Sequence, residues 1–179
     1  GTGTTSLNGA VDTNAAGGVT LTNETIAVNG TITTANAGVV TLNADTATLT
    51  LAAAADITSD GTVNLTGATG ISTAGDITTT ADLIDFNSNT TLTGNVALGS
   101  TGGNVSFDGT LNGGSDLTIT AGAGDVTFTG AVGSGTRLGA LSIVSADDVT
   151  AAAITAASFN QTDGTGATAL NGAVDTNAV

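Results

Sequence analysis

Two stretches decide the fold: "GNVSFDG", Gly103–Gly109, and "GDVTFTG", Gly124–Gly130. Both follow one pattern: Gly, Asn or Asp, Val, a small hydroxyl residue, Phe, any residue, Gly. Phe107 and Phe128 hold the same place in the two, in a chain with only four phenylalanines and no other aromatic. Working outward, the same frame holds an apolar–polar–apolar triplet over most of the chain. It reads "VTL" at Val19 and at Val40, "VNL" at Val63, "IDF" at Ile84, "VSF" at Val105 and "VTF" at Val126, with a degenerate "VTA" at Val149. The first six triplets keep the spacing of Phe107 to Phe128, lengthened only between Val40 and Val63.

A period of about 21 combined with two-residue alternation suits a parallel β-helix, in which each coil returns the chain to a point one strand spacing higher. Residues one period apart then stack at about 4.8 Å. Val19, Val40, Val63, Ile84, Val105 and Val126 form one expected inward ladder, and Leu21, Leu42, Leu65, Phe86, Phe107 and Phe128 a second. The residue between them faces solvent: Thr20, Thr41, Asn64, Asp85, Ser106 and Thr127.

Two further inward rows complete a three-sided coil. One comprises Ile26, Val28, Leu49, Leu51, Ile71, Leu92, Leu111 and Val132. The other comprises Ile32, Ile57, Ile77, Val96, Leu98, Leu117, Ile119, Leu141 and Ile143. The alanine runs Ala52–Ala55 and Ala151–Ala153 are expected where the coil is narrow. The fold class is therefore all-β: about eight coils of roughly 20–21 residues, each with three short strands.

Composition agrees. Thr is about a fifth of the 179 residues, Gly numbers 27, and Pro, Cys, Met, Trp, Tyr and His are absent. Thr, Val, Asn and Gly favour strands and tight turns over helices. Without Cys there is no disulfide, and Arg137 is the single basic residue, so lysine-dependent cross-links are excluded. A net charge of −14 argues against nucleic acid and anionic membranes as partners. No apolar run is long enough to span a bilayer, so no membrane insertion is expected.

The ends carry a second repeat. "GTGTTSLNGAVDTNA" (1–15) and "GTGATALNGAVDTNA" (164–178) differ only at Thr4 against Ala167 and Ser6 against Ala169. The chain thus reads as one long unit, residues 1–163, followed by the start of the next at 164–179, in one continuous solenoid. With Gly1 in place of an initiator Met, the expected parent is a longer tandem array.

Acidic residues sit immediately before strands: Asp56, Asp76, Asp116, Asp125 and Asp148. They are read as turn punctuation, with weak Ca2+ binding at the acidic turns as the sharper alternative. The glycine-rich nonapeptide of calcium-binding β-rolls does not recur; "GAGDVTF" (122–128) is a partial echo. Asp147 and Asp148 are the one adjacent acidic pair. A polysaccharide hydrolase needs two carboxylates on one side of a sugar, whereas neighbours along a strand point to opposite faces. Triads and His or Cys metal sites are impossible by composition. No catalytic, cofactor or metal residue is assigned, and the chain is read as a non-enzyme. The Asn-x-Thr sequons at Asn23, Asn29 and Asn89 arise by composition.

The chain resembles the secreted bacterial β-helix repeats of filamentous haemagglutinin-type exoproteins and giant β-strand-repeat surface proteins. The resemblance is carried by Gly124–Thr150, Gly103–Thr120 and "TALNGAVDT" (168–176). It implies a right-handed parallel β-helix, export to the bacterial cell surface, and a role as adhesin shaft, fibre or matrix component. The expected partner is a further copy of the unit, stacked end to end. The alternative is an adhesin whose lateral face binds glycan, ice or another surface.

Overall fold

In a computed structural model that describes residues 2–176, the chain is a parallel β-solenoid of about eight coils without helix. Alternation explains the strands: Val40–Ala44, Val63–Gly67 and Val126–Phe128 each bury every second residue. Every pairing between described strands is parallel and joins one coil to the next.

Three sheets line the core. The triplet sheet has eight strands, from Val19–Asn23 through Ile84–Phe86 to Thr168–Leu170. The second begins at Thr4–Leu7 and runs through Thr25–Val28, Leu49–Leu51, Ile71–Thr73 and Thr90–Leu92 to Leu111–Asn112. Single bridges at Val132 carry it on to Ile154, and Ile154 pairs in turn with Val174. The third runs from Val11–Thr13 through Ile32–Thr34, Ile57–Ser59 and Ile77–Thr79 to Leu138–Ala146 and Ile154–Gly164. The last of these turns a corner, its first residues lying in the second sheet and the remainder in the third.

Both triplet columns stand in register. Val19, Val40, Val63, Ile84, Val105 and Val126 are successive partners, as are Leu21, Leu42, Leu65, Phe86, Phe107 and Phe128. The rings of Phe86 and Phe107 lie 4.5 Å apart at 8°, and those of Phe107 and Phe128 5.3 Å apart at 13°. Offset stacking of this kind adds about 1 kcal/mol per pair to the burial of the rings. Above Phe128 the column narrows to Ala151. Leu21, in the first coil of this sheet, is only half-buried.

The glycines flanking the two opening stretches have a packing cause. A methyl group on Gly124 would meet the carbonyl of Gly103, and one on Gly130 the carbonyl of Gly109. Backbone rests on backbone at both corners of the coil, so the motif repeats because each copy is the floor of the next.

Three points refine those expectations. First, the second row is inward as expected, but it also takes in hydroxyl residues: Leu92 partners Thr73, and Ile71 partners Thr90. Thr73 and Thr90 therefore stand inside the core among aliphatic residues. Thr90 donates its hydroxyl to the Ser88 carbonyl at 3.0 Å, but the Thr73 hydroxyl is buried with no partner. Burying a hydroxyl unpaired costs about 1–3 kcal/mol. Thr73→Val, nearly the same in volume, is expected to stabilise the protein by about 1 kcal/mol in urea denaturation; unchanged or lower stability would contradict that placement. Second, the Ala52–Ala55 run is a turn, closed by Ala55 N–H to the Ala52 carbonyl. Only Ala55 is buried and Ala53 and Ala54 are exposed, so the run is not core filling. Third, Asp85 does not stand freely in solvent. It is half-buried, and its Oδ1 has no hydrogen-bond partner.

Val144 is the extra residue of a bulge: Ile119 pairs with Ile143, but Thr120 pairs with Ser145. The bulge turns Val144 outward, where it is 39% exposed.

Candidate functional site

Thr and Asn or Asp supply the polar chemistry of this chain, and the solenoid arranges them in columns. The acidic residues before strands do bond backbone amides, but the amide belongs to the next coil. Asp56 accepts from Asp76 N–H (3.0 Å), Asp76 from Ala97 (2.7 Å), Asn95 from Asp116 (3.0 Å) and Asp116 from Ala140 (2.7 Å). At another corner Asn104 accepts from Asp125 (2.8 Å), Asp125 from Asp148 (3.1 Å) and Asp148 from Ala167 (2.6 Å). Charge-assisted bonds to N–H groups are among the stronger hydrogen bonds. The carboxylates act as rungs between coils.

Asp60 spans three coils, accepting Ala37 N–H at 2.9 Å and the Thr80 hydroxyl at 2.7 Å. These two bonds hold its carboxyl below the ordinary value of 3.8. Its contribution to stability is present above that value and is lost as pH falls through the depressed one. The Ala37 bond anchors a turn in which Asn36 and Ala37 both adopt left-handed backbone conformations.

Asp85 has the opposite sign. Burial, then the nearby Asp108 carboxylate, push its carboxyl above 3.8, and a hydrogen bond from Ser106 offsets them in part. The stability it contributes is full below the ordinary value and is lost as pH rises through the raised one. Asp85→Asn is therefore expected to be more stable than the parent at pH 7. The advantage should disappear near pH 3, read as thermal midpoints across that range; an advantage that persists in acid would contradict this.

A column of hydroxyls is a feature that sequence reasoning missed. Thr34, Ser59, Thr79 and Ser100 are buried at the corner from the third sheet to the triplet sheet. Thr34 donates to the Gly38 carbonyl (2.6 Å), Ser59 lies 3.0 Å from Thr34, and Thr79 donates to Asp82 (2.6 Å). Ser100 accepts from Gly103 N–H (2.8 Å). The signal is a Thr or Ser two residues after each inward Ile or Leu, in "ITTANAG" (32–38), "ITSDG" (57–61), "ITTTAD" (77–82) and "LGSTGG" (98–103). Ala121 takes the place next, in "ITAGAG" (119–124).

Asp147 and Asp148 are also rungs. Asp147 accepts the Thr165 hydroxyl at 2.6 Å, and Asp148 is bound to Ala167. Arg137 donates to the Ala156 carbonyl (2.8 Å), the Asp175 carbonyl (3.1 Å) and the Asp175 carboxylate (2.7 Å). It ties the final strand to the coils beneath. Among the described residues no three of His, Cys, Asp and Glu come together as a metal site.

One groove opens on the side, at the corner between the triplet and second sheets. Gly67–Gly70, Asn87–Asn89, Asp108 and Gly109 line it. Much of its polar wall is already used between coils: Ser88 accepts Gly67 N–H, and Asn89 accepts Thr110 N–H.

Neither a scan against protein-family models nor searches of curated proteins and of solved structures gave a match. The chain is a β-solenoid repeat protein on the strength of its own register.

Proposed function

We propose that this chain is a structural segment of an extracellular, bacterial cell-surface filament or long fibre. Its work is mechanical: stacked coils form a stiff rod, and tandem units lengthen it. One observation carries the reading. The polar columns, acidic, amide and hydroxyl, spend their hydrogen bonds on their own corner or the neighbouring coil and not on a shared pocket. A rod gains about 4.8 Å per coil, or roughly 38 Å for eight. Resemblance to haemagglutinin-type and giant β-strand-repeat exoproteins supports the surface location.

Among the described residues Val19–Asn23 and Thr168–Leu170, the outer strands of the triplet sheet, each have a strand partner on one side only, and an open strand edge pairs readily with another. The partner is a second copy of the unit. Negative-stain electron microscopy of the purified chain, beside light scattering, is the test. Filaments or end-to-end oligomers are expected, and a monodisperse monomer at high concentration would contradict the reading.

The second reading, an adhesin whose lateral face binds glycan, ice or another surface, rests on the groove at Asn87–Asn89 and Asp108. Its wall offers amides, two hydroxyls and a carboxylate but no aromatic platform. Binding to a glycan panel, or shaping of ice crystals, would favour it.

A further inference from the structure

The two copies of the terminal sequence do not occupy equivalent places. Thr4–Leu7 lies in the second sheet, paired with Thr25–Val28, and Val11–Thr13 in the third, paired with Ile32–Thr34. The matching Thr168–Leu170 lies in the triplet sheet, paired with Val149–Ala151, and Val174–Asp175 pairs with Ile154 and Thr155 in the second. Each strand of the second copy sits one face earlier in the coil. The offset between the copies thus spans seven coils and two further faces, not a whole number of turns.

The copies also use opposite edges. The first pairs with the coil that follows it and the second with the coil that precedes it, so a single copy of this sequence can make both sets of bonds at once. Leu7 and Val11 are partly buried and packed against the core, while Leu170 and Val174, the same side chains, are 39% and 42% exposed. In the first copy Thr5 accepts a bond from Asn23 (2.8 Å) and Asn8 one from Asn29 (2.9 Å). Thr168 and Asn171 bring the same groups to the other end. The two substitutions, Thr4 to Ala167 and Ser6 to Ala169, fall on exposed positions.

We infer that two copies of this chain join through one shared coil. Thr168, Ala169 and Leu170 of one copy take the places of Thr5, Ser6 and Leu7 on the next, and Val174 and Asp175 take those of Val11 and Asp12. The incoming copy is rotated by one face. Its Val19–Asn23 strand then lands over the exposed edge of Ile154–Gly164, and the three sheets continue without a break. Stacking with the faces aligned does not achieve this. Above Val174–Asp175 it would leave the third and triplet sheets one strand short among the described residues, with backbone groups unpaired. Exchanging one segment for a nearly identical one costs little on the receiving copy, and the added edge pairing favours assembly. Units repeated along a single longer chain would turn by the same one face, returning to phase after three units.

This inference rests on the end-to-end reading above, and the test separates the two. The chain has no cysteine. Ser6 and Ala27 are register partners, and neighbouring strands at about 4.8 Å fit the separation a disulfide needs. A Ser6→Cys, Ala27→Cys variant first establishes that this pair closes within one chain. Ala27→Cys with Ala169→Cys then reports the shared coil, and Ser6→Cys with Asp175→Cys reports face-aligned stacking, in which Thr4–Leu7 would lie directly on Val174–Asp175 in the second sheet. After oxidation at high concentration, the Ala27–Ala169 variant is expected to give a ladder of dimers, trimers and higher species on a non-reducing gel, and the Ser6–Asp175 variant none. A ladder from the Ser6–Asp175 variant would overturn the shared coil and leave the rod intact. No ladder from either, with the chain monomeric by light scattering, would overturn both.

Discussion

Phe107→Ala is expected to lower the unfolding free energy by about 4 kcal/mol, the range found when a buried phenyl is deleted and its cavity stays open. Phe107 is the middle ring of the column, with Phe86 below and Phe128 above, so the substitution removes both stacked contacts together. Neither neighbour can move in to fill the space, because each is fixed by the register of its own strand. Phe107→Leu should recover more than half of the loss, since Leu21, Leu42 and Leu65 occupy the same place in earlier coils. Urea denaturation followed by circular dichroism reads both variants. A loss below about 1 kcal/mol for the alanine variant, the scale of an ordinary surface substitution, would mean that the ring is not packed as described.

Gly124→Val comes second, with an expected loss of about 3 kcal/mol, at the upper end of overpacking penalties. The obstacle is not a flexible side chain that can swing aside. It is the backbone of Gly103 and Asn104 one coil below, held in place by ladder bonds on both sides. Gly102, one residue before Gly103 in the stacked turn below, has open space where its side chain would be. Gly102→Ala is therefore the control, expected to change stability by less than about 0.5 kcal/mol. Equal effects from the two glycines would contradict close coil-to-coil contact at that corner.

The triplet columns were legible because one strict spacing recurs with only one change, and because Val, Leu and Phe have few other uses in a chain whose turns are built from Thr, Asn, Asp and Gly. Thr73, Thr90 and the hydroxyls at Thr34, Ser59 and Thr79 were not legible in the same way. Thr serves as outward strand residue, turn residue and core residue alike, so a Thr or Ser two residues after an inward Ile or Leu does not stand out until the coils are stacked. Acidic residues before strands were read as turn punctuation, bonding amides nearby in the chain. Their donors lie instead 19 to 24 residues away and are visible only once the coils are stacked. Arg137 gave no signal at all, since a lone cation has no pattern, yet it holds Asp175 across two coils.

Recognising the terminal duplication needed only a comparison of strings, but its phase needed the fold. Whether the repeat unit makes a whole number of coils depends on small insertions, such as the bulge at Val144, that do not change the triplet pattern. The same residues thus meet different faces at the two ends, a direct consequence of turn length and not of strand sequence.

The most direct test of the stacked-coil geometry is a series of spin-label distances from Thr20 to Ser106, Thr127 and Thr150. All four side chains sit on the outer face of the triplet sheet in successive register. At about 4.8 Å per coil the separations should be near 19, 24 and 29 Å, rising in equal steps with narrow distributions. Distances that failed to grow with coil number, or that spread broadly, would contradict the solenoid and everything built on it.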